Sequence, residues 1–250
     1  MFWIWLCYEQ GEKILMIDIH IHVIPEVDDG ADHIEEAMEM IDIAARQGVD
    51  AFIATPHSSA FDFEPNHVRR QYNLLRGSAA RRKKPVQICM GAEILCFESD
   101  MDEILHLLRN GAYPTMNGTR YVLAEFFSNA SRNAIIYCLH RFLEAGYCPI
   151  MAHAERYRNL DLQTACALHE EGVLIQMNVY SVEEEAYTLI KNRVRSFLDN
   201  RLIDFAGSDA HGVGHRPPSY LPGIEYMYSH YDHAYVDAIL EENPRSLLMA

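Results

Sequence analysis

Residues 16–30 read "MIDIHIHVIPEVDDG". His20 and His22 stand one residue apart at the end of an apolar run, and Asp28 and Asp29 follow just before Gly30. Two imidazoles so spaced form a chelating pair, and carboxylates close by extend the donor set. The same residue types recur along the chain: His57 in "TPH", Glu93 in "GAE", Glu125 in "LAEF", His153 in "AHAERY", and Asp209 and His211 in "GSDAH". Imidazole nitrogen combined with carboxylate oxygen suits zinc, manganese or iron. The candidates exceed the need of one ion, so two or three are expected.

These residues share a position in the pattern. Short apolar runs alternate with helical periodicity: "ILMIDI", "DAFIAT", "VQICMGAEI", "RYVLAEF", "CPIMAH", "VLIQMN" and "IDFAGSD" read as strands. Between them, Ile34, Ala37, Met38, Ile41, Ala44 and Ala45 recur at helical spacing. Further helices are expected over 66–81, 101–108, 132–145, 162–171 and 182–198, with a helical C-terminal region. Seven β-then-α units with buried strands predict an α/β fold: a parallel sheet closed into a barrel, with helices outside. No GxGxxG follows a strand, which argues against dinucleotide binding. In such a barrel the C-terminal strand ends meet at one face. Six of the seven strand ends carry a metal-type residue; the sixth, ending in Met177 and Asn178, does not.

A single His after a strand is ordinarily a polar loop residue, and a single Glu can satisfy a buried hydrogen bond. Asp32 and Glu35 have the spacing of a capping box and are read as such. His33, His67, His106, His140, His169, His230 and His233 fall in helices or their flanks and read as surface or packing residues. The joint pattern of the strand ends is not explained by solvation.

The chain has 250 residues and a formal net charge of −15, which disfavours a nucleic-acid surface. The "RRKK" run at 81–84 reads as a solvated helix end before Pro85. No apolar stretch is long enough for a membrane span. Six cysteines without CxxC spacing predict free thiols and a cytoplasmic location. Residues 1–15 read as an extension, with one domain over 16–250.

The segments "DIHIHVIPEVDDG", "ATPH", "GAEI", "AEF", "AHAERY" and "GSDAH...RP" resemble the PHP (polymerase and histidinol phosphatase) superfamily. They most resemble its metal-dependent protein-tyrosine phosphatases from bacterial capsule and exopolysaccharide loci. The resemblance implies a distorted seven-stranded TIM-like barrel holding three divalent ions, manganese by expectation, with magnesium, iron or zinc as alternatives. On it, His20 and His22 hold one ion with Glu93 and Asp209. Glu93 bridges to a second ion held by His57 and His153, and Asp29, Glu125 and His211 serve the third. Arg156 contacts the substrate phosphate and Arg216 assists. The implied activity is hydrolysis of phosphotyrosine by a metal-activated hydroxide, on a bacterial tyrosine autokinase that governs polysaccharide synthesis. A small-molecule phosphatase, such as one acting on histidinol phosphate, and a catalytically silent scaffold remain as alternatives.

Four ligand carboxylates against three divalent ions leave the mouth positive by about two charges, so an acidic protein can still attract a phosphate dianion locally. A cysteine-dependent phosphatase needs an Arg six positions after its Cys. Here Cys7, Cys89, Cys96, Cys138, Cys148 and Cys166 are followed at that spacing by Lys13, Leu95, Asp102, Glu144, Ala154 and Gly172. That chemistry is excluded.

Overall fold

A computed structural model describes residues 16–249. The expectation of an extension over 1–15 lies outside the described residues. The elements run β1 (Met16–Ile21), α1 (Ile34–Arg46), β2 (Val49–Ala54), α2 (Ser59–Phe63), α3 (Pro65–Ala80), β3 (Gln87–Met90), β4 (Glu93–Leu95), α4 (Met101–Arg109) and β5 (Tyr121–Glu125). They continue α5 (Arg132–Glu144), β6 (Cys148–Met151), α6 (Leu162–Glu170), β7 (Leu174–Asn178), α7 (Thr188–Asp199) and β8 (Phe205–Gly207). Helices α8 (Leu221–His230), α9 (His233–Asp237) and α10 (Asn243–Leu248) finish the chain.

Every strand pairing is parallel, in the orders β1-β2-β3 and β4-β5-β6-β7-β8. The seven expected strand positions are present, but the third is broken. "VQICMGAEI" is two strands, with Gly91 and Ala92 between them. At the break the Gly91 N–H still donates to Ala54 O (2.8 Å). A Cβ on Gly91 would lie 3.0 Å from Ile53 and from Met116 side-chain atoms, a tight contact that those side chains would have to yield to. Beyond the break, β4 pairs with the continuation of β2: Glu93 N donates to Pro56 O (3.1 Å) and Ser58 N to Glu93 O (2.8 Å). At the other junction β8 meets β1 through the Ile21–Ala210 bridge, Asp209 N to His20 O (2.7 Å) and His22 N to Ala210 O (3.0 Å).

Two apolar layers support this frame. Ile17, Ile19, Ala51, Ile53, Leu123, Ile150 and Phe205 form an inner cluster. Alternate strand residues such as Phe52, Val122, Met151 and Ile175 pack instead with Met40, Phe142 and Phe197 of the helices. Strands buried on both faces are near-continuous apolar runs, as read from sequence. Pro149 is tolerated within β6 because the bonds on the β5 side come from Cys148 N to Arg120 O and Ala152 N to Ala124 O, while pairing with β7 begins only at Ile150.

Two local expectations are corrected. The helix expected over 182–198 begins at Thr188, after a short 3-10 turn over Val179–Val182. The helix cap expected at Asp32 and Glu35 falls instead on His33, whose Nδ1 accepts from Glu36 N (3.0 Å). Glu36 reaches back to Asp32 N (2.9 Å). The reciprocal arrangement is that of a capping box, shifted by one residue.

Candidate metal centre

β1 carries His20, and His22 follows just past its end; residues two apart on extended backbone point to the same side. The two rings meet at the mouth, with their Nε2 atoms 3.4 Å apart. Glu93, the first residue of β4, stands between four histidines. Its Oε1 is 2.8 Å from His153 Nε2 and 3.3 Å from His20 Nε2; its Oε2 is 3.2 Å from His22 Nε2 and from His57 Nδ1. Asp209 Oδ1 lies 3.6 Å and 3.7 Å from the Nε2 atoms of His20 and His22. Glu125, ending β5, is 3.6 Å from His153 and 3.8 Å from His57. Asp29 Oδ1 is 3.2 Å from His57 Nε2 and 3.5 Å from His211 Nε2.

All nine candidate ligands, remote in sequence, thus converge. The donor atoms of eight of them fall into three overlapping groups, each within 4.8 Å: His20, His22, Glu93 and Asp209; His57, Glu93 and Glu125; and His22, Asp29, His57 and His211. His153 joins them through Glu93 and Glu125. The first is the grouping expected. Glu125 falls with His57 and Glu93 rather than with Asp29 and His211, because β4 and β5 are adjacent and the Asp29 loop faces the other side of His57.

The residues fit divalent ions. Ligands about 2.1 Å from one ion lie roughly 3.0–3.4 Å from each other, which is the spacing of the nitrogen–oxygen pairs around Glu93. Protonation follows the same logic. Burial disfavours a charged His20, yet Glu93 and Asp209 outweigh it and raise its pKa. His22 is held well above its usual range: burial opposes, but Asp28 and Glu93 prevail. Burial pushes Glu93 up, and His20 with its neighbours brings it well below the usual carboxylate range. Glu125 is raised, first by burial and then by Glu93. His211 is pushed down to about 3, first by burial and then by His22. The carboxylates thus favour positive charge at His20 and His22, which is the charge a bound cation would supply. Two buried nitrogens, His153 Nδ1 and His211 Nε2, have no hydrogen-bond partner among the described residues.

A second set of residues, to which the sequence assigns no role, holds the first in place. Asp28 Oδ2 accepts from His22 Nδ1 (2.8 Å) and from His57 N (3.0 Å), while its Oδ1 accepts from Gly30 N (3.0 Å). The carboxylate fixes the His22 tautomer and leaves Nε2 free to ligate. Gln176 Oε1 does the same for His20, at 3.2 Å from Nδ1. Asn178 Nδ2 donates to Asp209 Oδ2 (3.1 Å). Gln176 and Asn178 belong to β7, the strand without a ligand. Their alternate spacing, two polar residues one apart in an otherwise apolar strand, was the available signal.

Arg156 Nη2 is 2.6 Å from Asp209 Oδ2, and Arg216 Nη1 is 3.4 Å from the same oxygen. Both expected phosphate contacts therefore stand at the edge of the cluster. His153, Asp209 and Arg216 adopt φ of 30°, 51° and 48°. Left-handed backbone at non-glycine residues is held only where the surroundings enforce it, and it gathers at working sites. Beside His57 and Glu125 opens a cavity of about 520 Å³. Phe97 and Phe127, edge to face with centroids 5.3 Å apart, line it.

Comparison with known proteins gives a consistent result. The family model described as capsular polysaccharide synthesis, CpsB/CapC, matches residues 16–249. Tyrosine-protein phosphatase CpsB of Streptococcus agalactiae serotype III (strain NEM316) is 31% identical over 248 residues, covering 93% of this chain and 98% of the relative. Tyrosine-protein phosphatase YwqE of Bacillus subtilis (strain 168) is 32% identical over 205 residues, covering 79% of this chain and 78% of the relative. A solved structure from the pair YwqE of B. subtilis and CpsB of Streptococcus pneumoniae, described as unique metal-dependent tyrosine phosphatases, superposes with a TM-score of 0.83. It is 28% identical and covers 93% of this chain and 94% of that one. A β-aspartyl dipeptidase of Fervidobacterium islandicum, 14% identical with a TM-score of 0.62 over 93% of this chain and 72% of that one, shares the fold alone.

Proposed function

This chain belongs to the CpsB/CapC capsular polysaccharide synthesis family, and from that premise we propose how its barrel mouth works and on what. It is a metal-dependent tyrosine-protein phosphatase. The observation that carries the site assignment is the convergence of five histidines and four carboxylates around Glu93, with two arginines at Asp209. In our reading three divalent ions, manganese by preference, occupy the three overlapping groups, with His153 completing the one around Glu93 and Glu125. Bound there, the ions supply an acidified water as nucleophile and positive charge for the phosphoryl oxygens.

The chain's own residues do the rest. Asp28 and Gln176 hold the His22 and His20 rings. Arg156 and Arg216 receive the phosphoryl oxygens, their guanidinium planes matching a trigonal phosphoryl group. The aromatic wall of Phe97 and Phe127 accepts the ring of a phosphotyrosine side chain, which a phosphoserine lacks. The physiological substrate in this reading is a bacterial tyrosine autokinase controlling capsule or exopolysaccharide synthesis, met on the cytoplasmic side. No helix among the described residues is long and apolar enough to cross a membrane.

The test is phosphate release by metal-stripped protein reloaded with manganese, with a phosphotyrosine peptide, a phosphoserine peptide and histidinol phosphate side by side and a chelator control. Chelator-sensitive preference for phosphotyrosine is expected. Preference for histidinol phosphate would move the protein to small-molecule chemistry, and inactivity on all three would leave a scaffold.

A further inference from the structure

Tyr180 lies in the turn after β7, two residues beyond Asn178, and is partly exposed beside Arg156. Its hydroxyl oxygen receives Arg156 Nη2 at 2.6 Å and Asn178 Nδ2 at 3.2 Å. Both partners only donate. The Asn178 amide cannot be reversed to accept instead, because its nitrogen also faces the Asp209 carboxylate (3.1 Å) and its oxygen accepts from Gln176 Nε2 (3.0 Å). The Tyr180 oxygen thus has its acceptor capacity filled, and its own proton has no acceptor among the described residues. Arg156 is constrained in turn. Nη2 carries two hydrogens, one directed at Asp209 Oδ2 and one at Tyr180, which leaves Nη1 and Nε for another ligand. Any anion taken by Arg156 arrives within reach of the Tyr180 hydroxyl.

We infer that Tyr180 binds the substrate phosphoryl group, donating its hydroxyl proton to a phosphoryl oxygen beside Arg156. This rests on the phosphatase reading for its substrate. Its geometry rests on the Gln176–Asn178–Tyr180 chain, whose donors and acceptors run in one direction from the His20 ring to the mouth. Hydrogen bonds from preorganised donors strengthen as charge builds on the phosphoryl oxygens, so the effect belongs mainly in turnover.

The experiment is Tyr180→Phe in the full, manganese-loaded chain, with p-nitrophenyl phosphate as substrate and inorganic phosphate as equilibrium ligand. We expect unchanged metal content, kcat lowered about 10- to 100-fold with little change in KM, and phosphate bound about 10-fold more weakly. In an Arg156→Ala background the same change should weaken phosphate binding by a further factor of about three or more. Absence of that further loss would mean that Tyr180 acts only through Arg156 and would overturn direct donation. So would kcat and phosphate affinity within twofold of the parent protein. Should Tyr180→Phe lose its metals, Tyr180→3-fluorotyrosine keeps the ring and hydroxyl. A fluorine resonance that inorganic phosphate does not move then overturns the inference. Because phosphate binding is read without turnover, a parent protein that binds phosphate but hydrolyses nothing refutes the phosphatase reading separately.

Discussion

Glu93 touches four imidazoles with two oxygens, so its removal unmakes more than one candidate ion site. Glu93→Ala and His20→Ala are predicted to lower metal content and activity together, by elemental analysis and turnover on the same preparations. Arg156→Ala should lower turnover sharply with metal content retained, since Arg156 meets the cluster only through the outer oxygen of Asp209. Asp28→Asn should weaken metal binding about 10- to 100-fold, measured by competition with a chelating dye, because the His22 tautomer loses the carboxylate that sets it. At this scale most candidate ligands are legible because they stand at or just past strand ends, whereas Asp29, in the loop after β1, is legible only through the family resemblance. The resemblance singles out Asp29 of the acidic pair and gives Asp28 no role, and no motif in the sequence marks Gln176 and Asn178. Residues that act by orienting another side chain carry no motif of their own; His20 and Gln176 are 156 positions apart.

The elements impose tighter tolerances than the residue types reveal. Gly207 ends β8 against β1, and a Cβ there would lie 2.8 Å from His20 Cβ. Gly207→Ala is predicted to displace His20, lowering metal occupancy and costing about 1–3 kcal/mol of stability in denaturant titrations. The strand order and most helix bounds were readable because apolar periodicity is a local property. The break at Gly91 was not, since β4 leaves β3 only by virtue of Pro56–Ser58 offering it a partner from another part of the chain. The false helix start at 182 has a similar origin. Val182 is buried as a helical residue would be, but the backbone from Val179 is committed to the turn that places Tyr180.

For the whole molecule, none of the described cysteines is among the candidate ligands. Cys89, Cys96, Cys138, Cys148 and Cys166 are free thiols within the packed body or near its surface, and Cys→Ser changes should leave turnover largely intact. Metals should stabilise the fold, with a pH dependence whose sign is determined. In the metal-free protein His20 and His22 have raised pKa values, so their stabilising pairing with Glu93 is lost as pH rises through them. Metal binding, which needs those nitrogens free, strengthens over the same range. Chelator should therefore lower Tm by on the order of 5 °C or more, and by more at pH 8.5 than at pH 6, in thermal scans. The position of the candidate ligands gives a physical reason for this dependence. The barrel is two arcs of strands, three and five, joined at one end by the β2 extension against Glu93 and at the other by a few bonds between Ile21 and Ala210. His57 faces Glu93 across the first join, and His20 and His22 face Asp209 across the second. Ions held in these groups would therefore act as rivets as well as catalysts, and withdrawing them should let the two arcs part. Amide hydrogen exchange should then rise first at the two joins, while the ladders within each arc stay closed.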